Sequence, residues 1–215
     1  MGCRPAANRG APKTHELSLA EARRGFHTHL VRWVKDGRPV EEPPGELFRV
    51  VQYRSPAGEL PAYLSVRPAD DARHPLIIWL VGGFSNSIGP TAWEEAPAEN
   101  DQSASAFRKA SVLMMYPSLR GGNRNAGWRE RFYGEVDDVL AAAEFGAKLD
   151  YVDPDRIYLG GHSTGGTVAL LAAEVGGNFR AVFAFGPIDD VAEYGDEVLT
   201  FDLNDEREFS LRAPI

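Results

Sequence analysis

The chain has 215 residues, 43% of them hydrophobic and 10% aromatic, which suits one domain with a sizeable core and excludes both a chain disordered throughout and a disulfide scaffold. A formal net charge of −8 argues against a nucleic acid or an anionic membrane as partner, since both select a basic surface. No apolar run approaches the ~20 residues that span a bilayer, so no transmembrane segment is expected.

Residues 1–13, rich in Pro, Gly, Ala and Arg, read as a flexible tail. The single cysteine, Cys3, allows neither an internal disulfide nor a cysteine-based metal cluster. With no signal peptide expected ahead of the fold, the chain reads as cytoplasmic; Met1-Gly2-Cys3 resembles the cleaved end of a bacterial lipoprotein, which leaves an envelope location through Cys3 as the alternative.

Residues 14–46 read as a lead-in helix and linker. Ser18 and Glu21 have the spacing of a capping box, and Ala22, Phe26, Leu30 and Trp33 recur at helical spacing before Asp36-Gly37-Arg38-Pro39 ends the run. His27 and His29 stand two apart on that helix and so face different ways, which speaks against a metal pair. From residue 47 onward, Leu47 to Tyr53 and Leu60 to Val66 read as a hairpin across Ser55-Pro56-Ala57-Gly58.

Leu76 to Val81 and Val112 to Tyr116 are continuous apolar runs, the pattern of strands buried on both faces, and Ala181 to Phe185 is another. Between them, Asn100 to Ala110 can form a crossover helix, and Val136, Val139, Leu140 and Ala143 put an apolar stripe on a second. Strand and helix then alternate, the order of a mostly parallel sheet wrapped by helices.

The most telling stretch is Arg156-Ile157-Tyr158-Leu159-Gly160-Gly161-His162-Ser163-Thr164-Gly165-Gly166, where a short apolar strand turns through a serine into the apolar helix Thr164 to Val175. A serine hydroxyl is a weak nucleophile, and a tight turn between strand and helix presents it to a base and to oxyanion donors. Gly161 and Gly165 suit a close crossing, where a side chain would collide. A GxSxG string alone arises by chance roughly once in fifteen chains of ~200 residues, so its position between strand and helix is what makes it informative.

With this elbow in place, three segments resemble the catalytic domain of the prolyl oligopeptidase family of serine peptidases, within the α/β-hydrolases: HPLIIWLVGGF at 74–84, YPSLRGG with FYGEVDDVLAA at 116–122 and 132–142, and VDPDRIYLGGHSTGG at 152–166. The closing LRAPI at 211–215 is similar to the family's Arg-Ser-Pro-Ile segment. The resemblance implies an α/β-hydrolase fold with a mostly parallel sheet, an antiparallel N-terminal hairpin and helices on both faces, over residues 47–215. It implies Ser163 as the acylated nucleophile, the Thr164 and Gly83 backbone amides as oxyanion donors, a small peptide or ester as substrate, and no metal or cofactor. Many oligopeptidases place a tyrosine hydroxyl just before the Gly-Gly pair; here that residue is Val81, which has no donor and favours the backbone arrangement of esterase-like relatives.

In this superfamily the acid and the histidine follow the serine, yet His15, His27, His29, His74 and His162 all precede Ser163. His162 belongs to the elbow itself, so its side chain should point away from the Ser163 hydroxyl. The resemblance implies two further strands carrying acid and base, so the expectation is a catalytic domain incomplete at its C-terminus, with Ala181 to Phe185 as an uncovered edge. A noncatalytic binding module of the same fold is the alternative. Asp189 and Asp190 read as turn or capping residues that could instead serve as a triad acid. Arg120, Arg124, Arg129 and Arg131 could clamp a substrate carboxylate, but pairing of Arg120 with Glu135, Asp137 or Asp138 is the simpler reading. Trp79, Phe84, Trp93 and Trp128 could line an acyl pocket.

Overall fold

The computed structural model describes residues 17–214; the N-terminal tail with Cys3, and His15 after it, lie outside the described residues. Six strands form one sheet in the order β1-β2-β4-β3-β5-β6. The strands are β1 (Phe48–Ser55), β2 (Gly58–Ser65), β3 (His74–Leu80), β4 (Leu113–Pro117), β5 (Val152–His162) and β6 (Ala181–Phe185). β1 and β2 pair antiparallel, β2 also runs antiparallel to β4, and β4, β3, β5 and β6 are parallel. The chain thus has the mixed sheet of an α/β-hydrolase with its antiparallel N-terminal hairpin.

Both faces of the central strands are buried, which explains why β3 reads as one apolar run rather than an alternation. Leu76, Ile78 and Leu80 enter a core with helix α3 (Gly134–Ala147) and helix α4 (Thr164–Val175). Ile77 and Trp79 enter a second core on the other face, with Phe48, Tyr63, Tyr116 and Ala104. Phe107 of the short helix α2 (Ser105–Lys109) packs against that second core. The α2 crossover is shorter than the expected helix over Asn100 to Ala110: its first part is a 3-10 turn at Ala98–Asn100, and Asp101 then gathers Ser103 and Ser105 through both hydroxyls and both amides. That side-chain network competes with helical backbone pairing.

The lead-in helix is a correction. Helix α1 covers only Leu19–Arg23, closed at its start by the expected Ser18–Glu21 capping box. Gly25 at φ +71° turns the chain out of the helix, and residues 26–40 then run as an irregular strap, because their apolar groups find partners in a distant segment. Leu30 bridges Phe201, Val31 and Arg32 donate their amides to the Thr200 carbonyl, and Arg129 donates its amide to Val34. The Arg32 guanidinium adds bonds to the Asp196, Glu197 and Leu199 carbonyls. Trp33, assigned to the apolar stripe of that helix, is instead 64% exposed.

Helix α5 (Glu206–Ser210) closes the described chain and leads into Arg212, which has no exposed surface. Its guanidinium pairs with Glu208 and bonds the Glu130 and Arg131 carbonyls and the Thr28 hydroxyl, while Glu208 receives the His29 amide. A buried charge must be paired and hydrogen-bonded to be tolerated. This one ties the strap, the C-terminal segment and the loop before α3 to a single point.

Candidate active site

Ser163 lies between β5 and α4 with φ 51° and ψ −121°, a conformation that L-residues rarely adopt and that costs about 1–3 kcal/mol. The strain is held from both sides. The Ser163 amide continues the sheet by donating to the Phe185 carbonyl at 2.7 Å, and the glycines let strand and helix meet. A Cβ on Gly161 would sit 2.4 Å from the Gly165 carbonyl group, and one on Gly165 would sit 2.2 Å from the Leu80 oxygen. Although Ser163 occupies the N-cap position, its hydroxyl makes no capping bond, so the oxygen is not spent on the helix.

The second component is the loop after β3. Gly83 has φ +90°, and its carbonyl accepts the Thr164 hydroxyl at 2.7 Å, which holds the loop against the first turn of α4. Gly82 donates its amide to the Gln102 side chain at 2.8 Å. The Phe84 carbonyl receives Arg129 at 2.9 Å and Arg131 at 2.8 Å. Gly83, Phe84, Thr164 and Gly165 share the wall of one small cavity of about 60 Å³, so the two backbone segments expected to form an oxyanion hole meet at one place.

Tyr194 is the neighbour that sequence reasoning missed. It ends a 3-10 turn at Val191–Tyr194, stacks on Phe132 at 5.3 Å and meets Phe84 edge-on at 5.3 Å. Its hydroxyl is 3.1 Å from that of Thr167. Burial raises its pKa, and hydrogen bonds from Thr167 and Ser163 offset only part of that rise. The phenol beside Ser163 therefore stays neutral at physiological pH and serves as donor or acceptor, not as a base. The only sequence signal was an aromatic residue in a polar loop.

The remaining expectations sort cleanly. His162 points away from the cleft: its Nδ1 lies beside Gly82, buried and without a partner. His74 pairs with Asp70. Among the described residues, no histidine is hydrogen-bonded to Ser163. Asp190 caps the turn before Tyr194 by accepting the Ala192 amide at 2.9 Å, the capping role, and Asp189 is exposed. Arg120 grips Asp138 through Nε and Nη2, both at 3.0 Å, while its amide also donates to Asp138 at 2.9 Å. Its second partner, Glu130, was not anticipated. Burial pushes the Asp138 carboxyl upward against the pull of that guanidinium.

Arg124 bonds the Gly37 carbonyl in the strap. Burial lowers the Arg131 pKa to about 10, still cationic at neutral pH, and Arg131 lines the cavity with Glu135. Of the four candidate aromatics, Trp79 and Phe84 line the cavity. Trp93 packs on Tyr63 in the second core, and Trp128 lies at the surface under Lys35.

A strained serine at the β5–α4 junction of an α/β-hydrolase sheet defines the class. Within that class the chain belongs to the prolyl oligopeptidase family, whose family model matches residues 99–208, a span that contains Ser163 but not Gly83. Prolyl oligopeptidase A of Galerina marginata is 31% identical over 102 residues, which is 45% of this chain and 13% of that protein. Among solved structures, a puromycin-hydrolyzing peptidase of Mycobacterium tuberculosis superposes with a TM-score of 0.63 at 21% identity, covering 81% of this chain and 30% of its own. Prolyl oligopeptidase B of Galerina marginata gives 0.58 at 22% identity, covering 77% and 25%. An esterase of Pyrobaculum calidifontis gives 0.51 at 18% identity, covering 74% and 54%. The chain spans less than a third of the oligopeptidases and peptidase it matches and about half of the esterase.

Among the described residues, no helix is long and apolar enough to cross a membrane.

Proposed function

We propose that the chain, through a catalytic domain over residues 47–215, is a serine hydrolase that cleaves small peptide or ester bonds through an acyl-enzyme on Ser163. The observation that carries this reading is the Ser163 backbone, held at φ 51° beside the loop that Thr164 fixes through the Gly83 carbonyl. Ser163 Oγ attacks the substrate carbonyl carbon, the C=O π pair moves onto the oxygen, and the Thr164 and Gly83 amides receive the developing charge. The leaving group departs with a proton as the acyl-enzyme forms, and water then releases the acid and restores the hydroxyl. Each preorganised oxyanion donor is typically worth about 3 kcal/mol of barrier. Leu80, Phe84, Phe132 and Val168 line a cavity that also has Gly83 and Thr164 in its wall and offer an apolar surface to an acyl group. No metal or cofactor enters any step.

The test is acylation. With no histidine at Ser163 among the described residues acylation is slow, so incubation with p-nitrophenyl acetate over a day or more, followed by peptide mapping, is expected to find the acetyl group on Ser163 and none in a Ser163→Ala variant. Acetylation confined to other residues would overturn the reading. A second reading, a noncatalytic binding module of the same fold, is favoured by one observation: among the described residues, Ser163 has Tyr194 rather than a histidine at its side chain. That reading predicts no acetylation at Ser163 at any time.

A further inference from the structure

A pair of adjacent glycines can turn its peptide planes at little cost, because neither residue has a Cβ to block the turn. In the loop after β3 that freedom is dangerous. Rotating the Gly82–Gly83 peptide by half a turn would replace the Gly83 N–H with the Gly82 carbonyl oxygen, which repels a developing oxyanion that an amide would stabilise. The structure holds the peptide planes on either side of this one. After it, the Gly83 carbonyl accepts the Thr164 hydroxyl at 2.7 Å; before it, the Gly82 amide donates to Gln102 Oε1 at 2.8 Å. No hydrogen bond among the described residues takes the Gly83 amide between them.

Gln102 is firmly mounted for this. Its backbone carbonyl receives the Trp79 indole at 2.9 Å, from the strand that leads into the loop, and the neighbouring Asp101 is locked by the hydroxyls of Ser103 and Ser105. A Cβ on Gly82 would lie 2.9 Å from Gln102 Oε1 and 2.9 Å from the His162 carbonyl oxygen, so Gly82 is confined between Gln102 and the residue before Ser163. Further along, the loop is anchored without Gln102, through Arg129 and Arg131 on the Phe84 carbonyl. The Gln102 bond is thus spent on the glycine pair itself.

We propose that Gln102 is a positioning residue of the oxyanion site: by holding the Gly82 amide it fixes the next peptide plane, so that the Gly83 amide is the donor offered to the oxyanion. The proposal rests on the reading of Ser163 as nucleophile and Gly83 as oxyanion donor. With no hydroxyl at Val81, the contribution of this loop comes from its backbone, and the orientation of one peptide plane decides it.

Three variants test the assignment. Gln102→Met keeps the length of the side chain without a comparable acceptor, Gln102→Asn keeps the amide but stops short of Gly82, and Gln102→Glu keeps an acceptor in place. Each is incubated with p-nitrophenyl acetate for a day or more, and peptide mapping reads acetylation of Ser163 against that of the exposed Lys148 in the same molecules. Loss of one oxyanion donor slows acyl transfer about 100-fold, so the Ser163 to Lys148 ratio is expected to fall about 100-fold in Gln102→Met and Gln102→Asn. Gln102→Glu is expected to stay within about tenfold of the parent, the residual loss coming from its added charge. Hydrogen exchange at the Gly82 amide, followed by NMR, is expected to quicken in the first two variants and not in the third.

Thermal unfolding shows which variants fold, and either of the first two suffices. Ratios within about threefold of the parent in a folded Gln102→Met or Gln102→Asn would overturn the proposal and leave the nucleophile standing. Gln102→Glu as slow as Gln102→Met would also overturn it, because the acceptor would then not be what matters. Failure of both Gln102→Met and Gln102→Asn to fold would make Gln102 a structural residue and overturn it likewise. Absence of the acetyl group from Ser163 in the parent refutes the nucleophile and the proposal with it, an outcome distinct from the other three.

Discussion

Adjacent glycines at the start of α4 make opposite predictions, and the contrast tests whether close backbone contact builds the elbow. A methyl group on Gly165 would lie 2.2 Å from the Leu80 carbonyl oxygen and 2.7 Å from its carbon. Both are backbone atoms of β3, so relief requires helix and strand to separate by about 1 Å, against a core that resists such shifts. Extra methylenes in a well-packed core typically cost about 1–3 kcal/mol, and a backbone collision belongs at or beyond the top of that range. Replacing glycine within a helix returns about 1 kcal/mol at most. Gly165→Ala is therefore expected to lose about 3 kcal/mol.

On Gly166 the same methyl meets the Gly161 oxygen at 3.2 Å and the Phe185 backbone at 3.4 Å, distances that small adjustments absorb. The propensity gain roughly cancels that cost, and Gly166→Ala is expected within about 1 kcal/mol of the parent. Urea unfolding measures both; with a slope of about 2 kcal/mol per molar, the variants should differ by about 1 M or more in midpoint. Midpoints within about 0.3 M of each other would refute the idea that β3 and α4 touch through Gly165.

Ser163→Gly should be more stable than Ser163→Ala by about 1–2 kcal/mol in the same assay, since only glycine relieves φ 51°, ψ −121°; equal stability would mean the backbone is unstrained. Asp138→Ala should lose about 3–5 kcal/mol, because it leaves Arg120 buried without its bidentate partner, and a loss under about 1 kcal/mol would contradict that pairing. On acidification, Asp36 and Asp101 are both held down to about 2, Asp36 chiefly by the Arg38 amide, Asp101 by hydroxyl bonds from Ser103 and Ser105 that outweigh its burial. A carboxyl with a depressed folded pKa contributes stability above its unfolded value of about 3.9 and loses it as pH falls toward the folded value. Unfolding temperature should accordingly drop between about pH 4 and about pH 2, less steeply in Asp101→Asn; an identical slope would remove Asp101 from the account. Finally, ester turnover by the 215-residue chain should be about a millionfold below that of a serine hydrolase with its histidine in place, since among the described residues no histidine is hydrogen-bonded to Ser163. Rates near those of a complete triad would show that a base lies within these residues.

The sheet and the elbow were legible because their signals are local. A strand buried on both faces must be apolar throughout, and a tight strand–serine–helix turn must carry glycine where backbones cross, so Leu76 to Val81 and Gly161 to Gly165 announce themselves without any partner being known. The lead-in helix failed for the opposite reason. Ala22, Phe26, Leu30 and Trp33 have helical spacing, but Gly25 breaks the run and Leu30 pairs with Phe201, a contact across 171 positions in sequence that no window around residue 30 contains.

The surroundings of the candidate site fall on the same side of that divide. Tyr194 reaches Ser163 only because the loop after β6 folds back over α4, where the Thr167 hydroxyl holds both the Ile188 backbone and the Tyr194 phenol. Glu135 sits within a segment whose acids were weighed solely as partners for Arg120. What sets it apart is that Arg120 chose Asp138 and Glu130 instead, leaving one of its oxygens buried without a partner. Sequence picked out the serine at the turn from strand to helix; which chemical groups surround it was decided by how several distant charges paired off.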